Sequence, residues 1–358
     1  MEEIDKMQKV HLPGLNGIRA IASLVVLFGH IDEYLYLFGL TSLGLDEHCA
    51  PRYGVTLFFV LSGFLITYLL LIEKHFYNKI NIVQFYFRRI LRIWPLYFLI
   101  IFISPFILVL FGINPLTKLS GYLMYVLFIP NVAFALNRII PGIPILWSIG
   151  VEEQFYLFWP WVIGKSEKPI KAIVSVILIY FLVKLILHFF NHNELILLTR
   201  IDCMAIGGVG AYLSVVHFDK CRIIFNKWIQ GIAWISIGSI LLFPIYKPDF
   251  FINELYSCLF TIVIMNISLN NYSLIKLNNG FWNFVGKLSY GVYIYHVPVL
   301  FISSYFLKNK FSNSPGSIFG IFLIVITCTY TIAYLSYNYF EMKFLLMKGK
   351  YSKVLSSP

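Results

Sequence analysis

Charged residues are scarce in this sequence. Asp, Glu, Lys and Arg make up 13% of its 358 residues, about half of the roughly 25% that is typical of soluble domains. The sequence also lacks the alternation of polar and apolar residues that membrane-spanning β-strands need. Hydrophobic residues account for 59% of the chain and recur in long continuous runs. The sequence therefore predicts an all-α, polytopic integral membrane protein rather than a soluble domain.

Acidic residues are scarcer than basic ones. The chain has 17 Asp and Glu against 28 Lys and Arg, a formal net charge of +11. Excess basic residues in a membrane protein mark cytoplasmic loops, so we expect no nucleic-acid partner. The five cysteines show neither disulfide nor zinc spacing, and no metal site is expected. The N-terminus lacks the features of a cleaved signal peptide, so we expect the first apolar helix to be retained.

Ten apolar segments are long enough, or nearly so, to cross a bilayer. They cover residues 17–37, 54–73, 93–113, 144–163, 170–190, 203–217, 229–246, 254–270, 284–303 and 317–340. A further segment, 119–136, is apolar but interrupted by Pro130 and Asn131. With ten crossings, 18 Lys and Arg residues flank one side and 7 the other, whereas an eleventh crossing makes the counts nearly equal. The positive-inside rule therefore predicts ten helices, with 119–136 as a re-entrant or external element.

This topology places both termini in the cytoplasm. It divides the chain into a membrane domain, residues 1–345, and a short basic cytoplasmic tail, residues 346–358. The expected location is the cytoplasmic (inner) membrane of a bacterium, with membrane lipids as partners. An oligomer is compatible with the sequence, which gives no sign of its size.

The first predicted helix carries two ionisable side chains, Arg19 and His30. Their spacing makes them project from nearly the same helix face, about 16 Å apart along the axis. Arg19 fits an interfacial residue that extends to the lipid headgroups, and His30 fits a hydrogen-bonded packing residue. Ionisable groups within a membrane are otherwise candidates for function. The spacing alone leaves both interpretations open.

A basic cluster lies just before the apolar part of the third predicted helix. Arg88 and Arg89 are adjacent, and Arg92 follows them by four and three residues. The three side chains therefore gather on one helical surface. One interpretation is that they only set the orientation of the helix in the membrane. The other is a phosphate-binding site, because guanidinium groups bind phosphate oxygens in pairs.

Two adjacent glutamates, Glu152 and Glu153, lie in the middle of the fourth predicted span. An ionised carboxylate at that depth costs about 2.5–3.5 kcal/mol on insertion scales. Neighbouring side chains point about 100° apart on a helix, so only one of the two readily faces a given cavity. Two interpretations fit this pattern. One is a structural ion pair with Arg19 or another cation, and the other is a functional role. A late span adds another polar residue, His296.

Five motifs occur in order along the chain: LNGIRAIASLVVLFGH, GVTLFFVLSGFLIT, FRRILRIWPLY, LWSIGVEEQFYLFWP and GKLSYGVYIYHVPV. Together they resemble the membrane acyltransferase-3 family over about residues 15–341. The resemblance implies transfer of an acyl group, usually acetyl from acetyl-CoA, to a hydroxyl of a surface polysaccharide, a lipid-linked saccharide or another extracytoplasmic acceptor. Some relatives carry a C-terminal esterase-like domain, which this sequence lacks, so a stand-alone form is expected.

The family's functional residues carry over position by position. His30 matches the essential histidine and Arg19 the arginine of an Arg-x10-His motif, while Arg88, Arg89 and Arg92 match the motif linked to acyl-CoA. We expect Glu152 to join His30 and Arg19 at the catalytic site. Further motif residues without an assigned role are Ser62, Trp147, Ser148, Glu153, Tyr156, Tyr290 and His296. Asn16 replaces an aspartate that is more common in the family, so Arg19 lacks that partner or takes Glu152 instead.

The resemblance implies a path across the membrane. The arginine cluster would hold the phosphates of coenzyme A, and the pantetheine arm would extend past Arg19 towards His30. There His30 would act as general base on an acceptor hydroxyl or would attack the thioester itself, and the sequence does not separate the two. A flippase or transporter is the alternative from another class, but the inverted repeats common in transporters are not evident. A sensor or scaffold would need an output domain, and none is recognisable.

The ten-helix topology predicts which segments face the cytoplasm. A reporter fused after Lys353 is expected inside the cell, because the basic loops orient the helices. A tag between Lys118 and Arg138 is expected to react with membrane-impermeant reagents applied to intact cells. Labelling of the C-terminus in intact cells would contradict the topology.

Overall fold

A computed structural model describes residues 8–10, 12–44, 51–191, 199–242, 251–351 and 354–356. Cys49 and Lys353 lie outside the described residues. Within this part, the chain forms helices, short connections and one pair of three-residue strands. The predicted all-α class is confirmed.

The described helices are numbered here in chain order. They are α1 (Leu15–Glu33), α2 (Pro51–Tyr77), α3 (Ile82–Leu110), α4 (Leu119–Val126), α5 (Pro130–Ala135), α6 (Leu146–Lys165), α7 (Pro169–Phe189), α8 (Ile201–Val216), α9 (Lys227–Leu242), α10 (Ile252–Leu269), α11 (Gly280–Leu307), α12 (Pro315–Ser336) and α13 (Met342–Lys348). A π-helical turn, Tyr337–Glu341, joins the last two. Each of the ten predicted spans coincides with one helix, namely α1–α3 and α6–α12.

Seven of the described helical segments are long and apolar enough to cross a membrane: α1, α2, α3, α7, α10, α11 and the continuous run from α12 to α13. Three other helices coincide with predicted spans. α8 is apolar but has only 16 residues, α9 is described for 16 residues, and α6 carries two glutamates among its 20 residues. The chain is a polytopic helical membrane protein, and the number of ten crossings stays a prediction.

The segment 119–136 forms two short helices rather than one continuous helix. α4 has eight residues and α5 has six, far fewer than the about 20 that a crossing needs. Between them the chain turns at Phe128, whose φ is +57°. Gln154 of α6 donates through Nε2 to the Phe128 carbonyl at 2.9 Å and to Asn131 Oδ1 at 2.8 Å. This arrangement agrees with a re-entrant or external element fixed against α6.

Glycines bring α2 and α8 into close contact. A Cβ atom on Gly63 would lie 1.9 Å from the Met204 carbonyl oxygen, and one on Gly207 would lie 2.1 Å from that of Val60. Only glycine permits this approach, which is common between membrane helices. α2 also packs against α1, and α1 packs against α11. The first helix, which carries Arg19 and His30, is therefore enclosed by neighbours.

The two ends of the described chain meet on one side of the helix bundle. Gln8–Val10 pairs in parallel with Val354–Ser356. α13 packs along α3, and Arg88 Nη1 donates to the Tyr351 carbonyl oxygen at 2.8 Å. An even number of crossings requires both ends on one side. The membrane face that this side meets stays a prediction from the charge distribution.

Candidate active site

The predicted motifs converge on an internal cavity of about 90 Å³, called here the inner cavity. Helices α1, α2, α3, α6 and α11 all contribute to its wall. Its polar lining consists of Arg19, Ser62, Arg89, Arg92, Ser148, Glu152, Tyr156, Ser289, Tyr290 and Tyr293. Most of the site residues predicted from the sequence therefore share one cavity.

Three guanidinium groups face the inner cavity, those of Arg19, Arg89 and Arg92. Among the described residues, none of the three forms an ion pair with a carboxylate. The Arg89 guanidinium lies 5.7 Å from the ring centre of Phe85 and 5.5 Å from that of Tyr156. Its Nε has no hydrogen-bond partner within the described part of the chain. Three guanidiniums beside the single carboxylate of Glu152 leave an excess of positive charge that favours the binding of an anion.

Arg19 has a neutral partner in Asn16. Arg19 Nη1 donates to Asn16 Oδ1 at 3.0 Å, and Asn16 Nδ2 donates to Asn283 Oδ1 at 3.3 Å. The predicted alternatives were a missing partner or Glu152. The amide of Asn16 orients the guanidinium without cancelling its charge.

Arg88 is directed away from the other two residues of the basic cluster. Its Nη2 lies 3.2 Å from Glu73 Oε2, and Glu73 Oε1 accepts from the Asn81 backbone N–H at 2.8 Å. Arg88 also bonds to the Tyr351 carbonyl. These contacts join the turn between α2 and α3 to the C-terminal residues. The geometry therefore brings Arg89 and Arg92 into the cavity and gives Arg88 structural partners.

A wider cavity of about 510 Å³, called here the vestibule, adjoins the inner cavity. Arg19, Leu65, Arg92 and Tyr290 line both, so the two spaces meet at these residues. α13 contributes to the vestibule wall, and so does Lys348 at its end. From the sequence, Lys348 was expected in a tail outside the membrane domain. The only feature of the sequence around Lys348 was a short basic run, which did not predict a functional site.

The two adjacent glutamates have different surroundings, as their angular separation on α6 predicts. Glu152 lines the inner cavity, where its Oε1 accepts from Ser62 Oγ at 2.8 Å and its Oε2 from the Tyr156 hydroxyl at 3.2 Å. Glu153 Oε2 accepts from Trp94 Nε1 at 2.9 Å. Neither carboxylate forms an ion pair among the described residues. The sequence left open an ion pair for these glutamates. Among the described residues, the structure instead gives Glu152 two hydroxyl donors and Glu153 an indole donor.

Tyr293 marks the end of the inner cavity away from the vestibule. Its hydroxyl lies 2.6 Å from Ser148 Oγ, and its ring centre lies 5.8 Å from that of His296. Tyr290, one helical turn earlier, donates to the Ile93 carbonyl at 2.7 Å and holds α11 against α3. Trp147 lies outside the cavity lining, and its ring faces the Arg200 guanidinium at 5.5 Å. Tyr293 was not among the predicted site residues, although it lies within the motif GKLSYGVYIYHVPV.

His30 and His296 form a pair beyond Tyr293. His30 Nδ1 lies 2.8 Å from His296 Nε2, and His296 Nδ1 lies 3.1 Å from the Val292 carbonyl oxygen. His296 is fully buried, whereas the side chain of His30 is 15% exposed. His30 does not line the inner cavity, so the structure separates the imidazole pair from the cationic cavity. Helix α1 connects the two, with Arg19 near one end and His30 near the other.

The sequence model for a family described as an acyltransferase domain matches residues 12–335. The chain belongs to the acyltransferase-3 family. The resemblance found in the five motifs is therefore confirmed over nearly the whole chain. The motif residues lie on both parts of the site, the arginines in the cavity and the histidines beyond it.

The O-acetyltransferase OatA of Staphylococcus aureus strain NCTC 8325 is 27% identical to this member of the acyltransferase-3 family. The alignment covers 92% of this chain and 57% of the relative. OatA of strains COL and MRSA252 gives the same values. The chain thus spans somewhat more than half the length of these relatives. No solved structure matches.

The described residues contain no group of three or more His, Cys, Asp or Glu side chains that could hold a metal ion. The polar groups that the site does offer are guanidiniums, hydroxyls, one carboxylate facing the cavity and two imidazoles. Guanidiniums bind phosphates, and an imidazole moves protons or attacks a carbonyl. These side chains suit acyl transfer from an anionic donor.

The contacts of Arg88 predict that it stabilises the fold more than Arg89 does. Arg88→Met leaves the buried Glu73 carboxylate without its ion-pair partner, and breaking a buried pair in this way costs about 3–5 kcal/mol. Arg89→Met removes a cation that has no carboxylate partner, so it should lower stability less or not at all. Thermal unfolding of the purified variants in detergent measures the difference.

Glu73→Gln combined with Arg88→Met is the control, because it removes the charge left behind. The double variant should recover part of the lost stability. Equal melting temperatures for Arg88→Met and Arg89→Met would contradict the separation of the cluster.

Proposed function

We propose that this protein is a membrane O-acyltransferase that moves an acyl group, most simply acetyl, from cytoplasmic acyl-CoA to a hydroxyl of an extracytoplasmic glycan. The observation that carries the proposal is the placement of two chemically different groups on α1. Arg19 joins two other guanidiniums, which form no ion pair among the described residues, in a cavity that opens to the vestibule, and His30 lies near the opposite end of the helix.

The two cavities differ in size in a way that suits coenzyme A. The vestibule, at about 510 Å³, has room for a bulky nucleotide, and the inner cavity, at about 90 Å³, suits a narrow chain such as pantetheine. Arg19 and Arg92 lie where the two meet. Phosphates held there would direct the thioester into the inner cavity and towards Tyr293.

At His30 the chemistry needs one proton acceptor. As general base, the imidazole takes the proton of the acceptor hydroxyl while the hydroxyl oxygen attacks the thioester carbonyl. The carbon–sulfur bond then breaks, and the departing thiolate takes the proton back from the imidazole. The products are the acyl ester and free coenzyme A. Glu152, held by Ser62 and Tyr156, lies in the cavity through which the arm would pass.

A covalent route uses the same residue. His30 would attack the thioester and form an acyl-imidazole, which the acceptor hydroxyl would then cleave. The two routes differ in one observable, because only the covalent route labels the protein when acetyl-CoA is supplied without acceptor.

The relatives support the type of transfer. Three of them bear the name O-acetyltransferase, and family membership covers the residues that form both parts of the site. A flippase or transporter would not need an imidazole pair at the end of a cationic cavity. A glycan acceptor follows from the expected position of His30 near the outer face, where surface polysaccharides and lipid-linked saccharides are accessible.

Donor binding is expected to depend on Arg89 and Arg92. Each charge-assisted hydrogen bond to phosphate is worth about 1.5–3 kcal/mol, or about 10- to 100-fold in affinity. Arg92→Gln and Arg89→Gln should therefore raise the KM for acetyl-CoA by that factor, and lysine should restore it only in part. Initial rates of transfer of labelled acetyl groups in isolated membranes measure this effect.

Arg222→Gln is the matched control, since Arg222 is exposed and remote from both cavities. It should leave the KM unchanged. If the double variant of Arg89 and Arg92 inserts normally and keeps the wild-type KM, the cavity does not bind the donor.

Turnover is expected to depend on His30. His30→Ala should lower acyl transfer by about 10²- to 10⁴-fold, the usual contribution of a positioned acid–base group. Binding of acetyl-CoA should be largely retained, because the guanidinium groups lie elsewhere. Membranes with matched amounts of variant and wild-type protein provide the comparison, and transfer near the wild-type rate by His30→Ala would contradict the mechanism.

A further inference from the structure

We propose that His296 is a positioning residue that fixes His30 in one tautomer, with the proton on Nδ1 and the Nε2 lone pair available for reaction. The inference rests on the proposed function for its kinetic consequence, but the tautomer itself can be measured without any substrate. The contacts of the pair carry the argument in three steps.

The first step is the orientation of His296. A carbonyl oxygen only accepts hydrogen bonds, so the contact of His296 Nδ1 with the Val292 carbonyl at 3.1 Å requires a proton on Nδ1. In a neutral imidazole the other nitrogen then carries a lone pair and no proton. His296 Nε2 is therefore an acceptor, and it faces His30.

The second step is the contact between the rings. His30 Nδ1 and His296 Nε2 are 2.8 Å apart, a distance at which two lone pairs or two N–H groups would repel, so one proton lies between them. The ring planes differ by only 7°, and the ring centres are 5.1 Å apart. A nitrogen–nitrogen contact much shorter than the centre separation means that the rings meet edge to edge. The proton of His30 Nδ1 therefore points along the lone pair of His296 Nε2.

The third step is the direction of the remaining nitrogen. His30 Nε2 lies 3.9 Å from Glu33 Oε2, and the Glu33 side chain is half exposed. The reactive nitrogen thus faces the accessible side of the pair. His296, in contrast, is fully buried within α11. The buried ring is the fixed support, and the partly exposed ring is the one that meets substrate.

This arrangement serves both chemical routes. When Nε2 of His30 accepts a proton or an acyl group, positive charge develops on the ring and strengthens the Nδ1–H bond to His296. A histidine held by a second group loses fewer orientations before reaction, and the wrong tautomer is a known cause of large losses in turnover. Without His296, His30 could place its proton on Nε2 and become inactive as a base or nucleophile.

The test compares two replacements of His296. His296→Phe fills the space with a ring that accepts no hydrogen bond, whereas His296→Gln places an amide oxygen near the original Nε2. The first should lower kcat by about 10- to 100-fold or more, the usual cost of losing a residue that orients a histidine. Its KM for acetyl-CoA should stay within about twofold of wild type, because the cavity arginines are untouched. The second should recover a substantial part of the lost kcat.

Tyr295→Phe is the control for damage to α11. It removes the hydrogen bond from the Tyr295 hydroxyl to Ser336 Oγ, on the same helix and next to His296, without altering the imidazole pair. Its kcat should stay close to that of the wild type. An equal loss of kcat in Tyr295→Phe and His296→Phe would overturn the proposal, as would equal activity of the phenylalanine and glutamine variants.

Nitrogen-15 spectra of the imidazoles test the tautomer directly. In protein labelled at histidine, the signals missing from His30→Ala belong to His30, and they should show a protonated Nδ1 and a bare Nε2. His296→Phe should change that pattern. A wild-type His30 protonated on Nε2 would overturn the inference. If the wild type transfers no acetyl group at all, the proposed function fails and the spectra alone decide the tautomer.

Discussion

Three guanidinium groups gathered in one cavity, with Glu152 as the only carboxylate among its described lining residues, are the constraint on which this site depends. Arg19, Arg89 and Arg92 face one cavity within a bundle of apolar helices. Such groups are costly unless a ligand neutralises them. The surroundings reduce the cost with neutral partners, an amide at Asn16 and aromatic faces around Arg89. The cavity thereby keeps an excess of positive charge.

Helix α1 separates the two parts of the site along its axis. Because Arg19 and His30 lie on one continuous helix, they are held about 16 Å apart along its axis, one at the cavity and the other beside His296. In the proposed donor, coenzyme A, a comparable length of flexible chain separates the phosphates from the thioester. Glycine contacts between α2 and α8 and the bond from Tyr290 to α3 keep the surrounding wall in place. The site is therefore asymmetric along α1.

Local pattern was enough to predict the features that depend on one helix. Periodicity separated Glu152 from Glu153, and the structure agrees. That Arg19 and His30 project from one helix face stays a prediction. Features that depend on distant parts of the chain were not predictable. His296 lies 266 positions from its partner His30, and Glu73 takes Arg88 away from the cluster only because of how α2 and α3 pack. Lys348 reaches the vestibule because α13, which continues α12, packs along α3.

The central claim is that donor and acceptor react across the membrane through this site. Sealed inverted vesicles and sealed right-side-out vesicles, prepared from cells that carry the protein and its native acceptor, test it with labelled acetyl-CoA in the external medium. The account predicts label transfer only in the inverted vesicles, loss of that transfer with His30→Ala, and a product on the lumenal face. Equal transfer in sealed right-side-out vesicles, or a product on the face that received the donor, would contradict it.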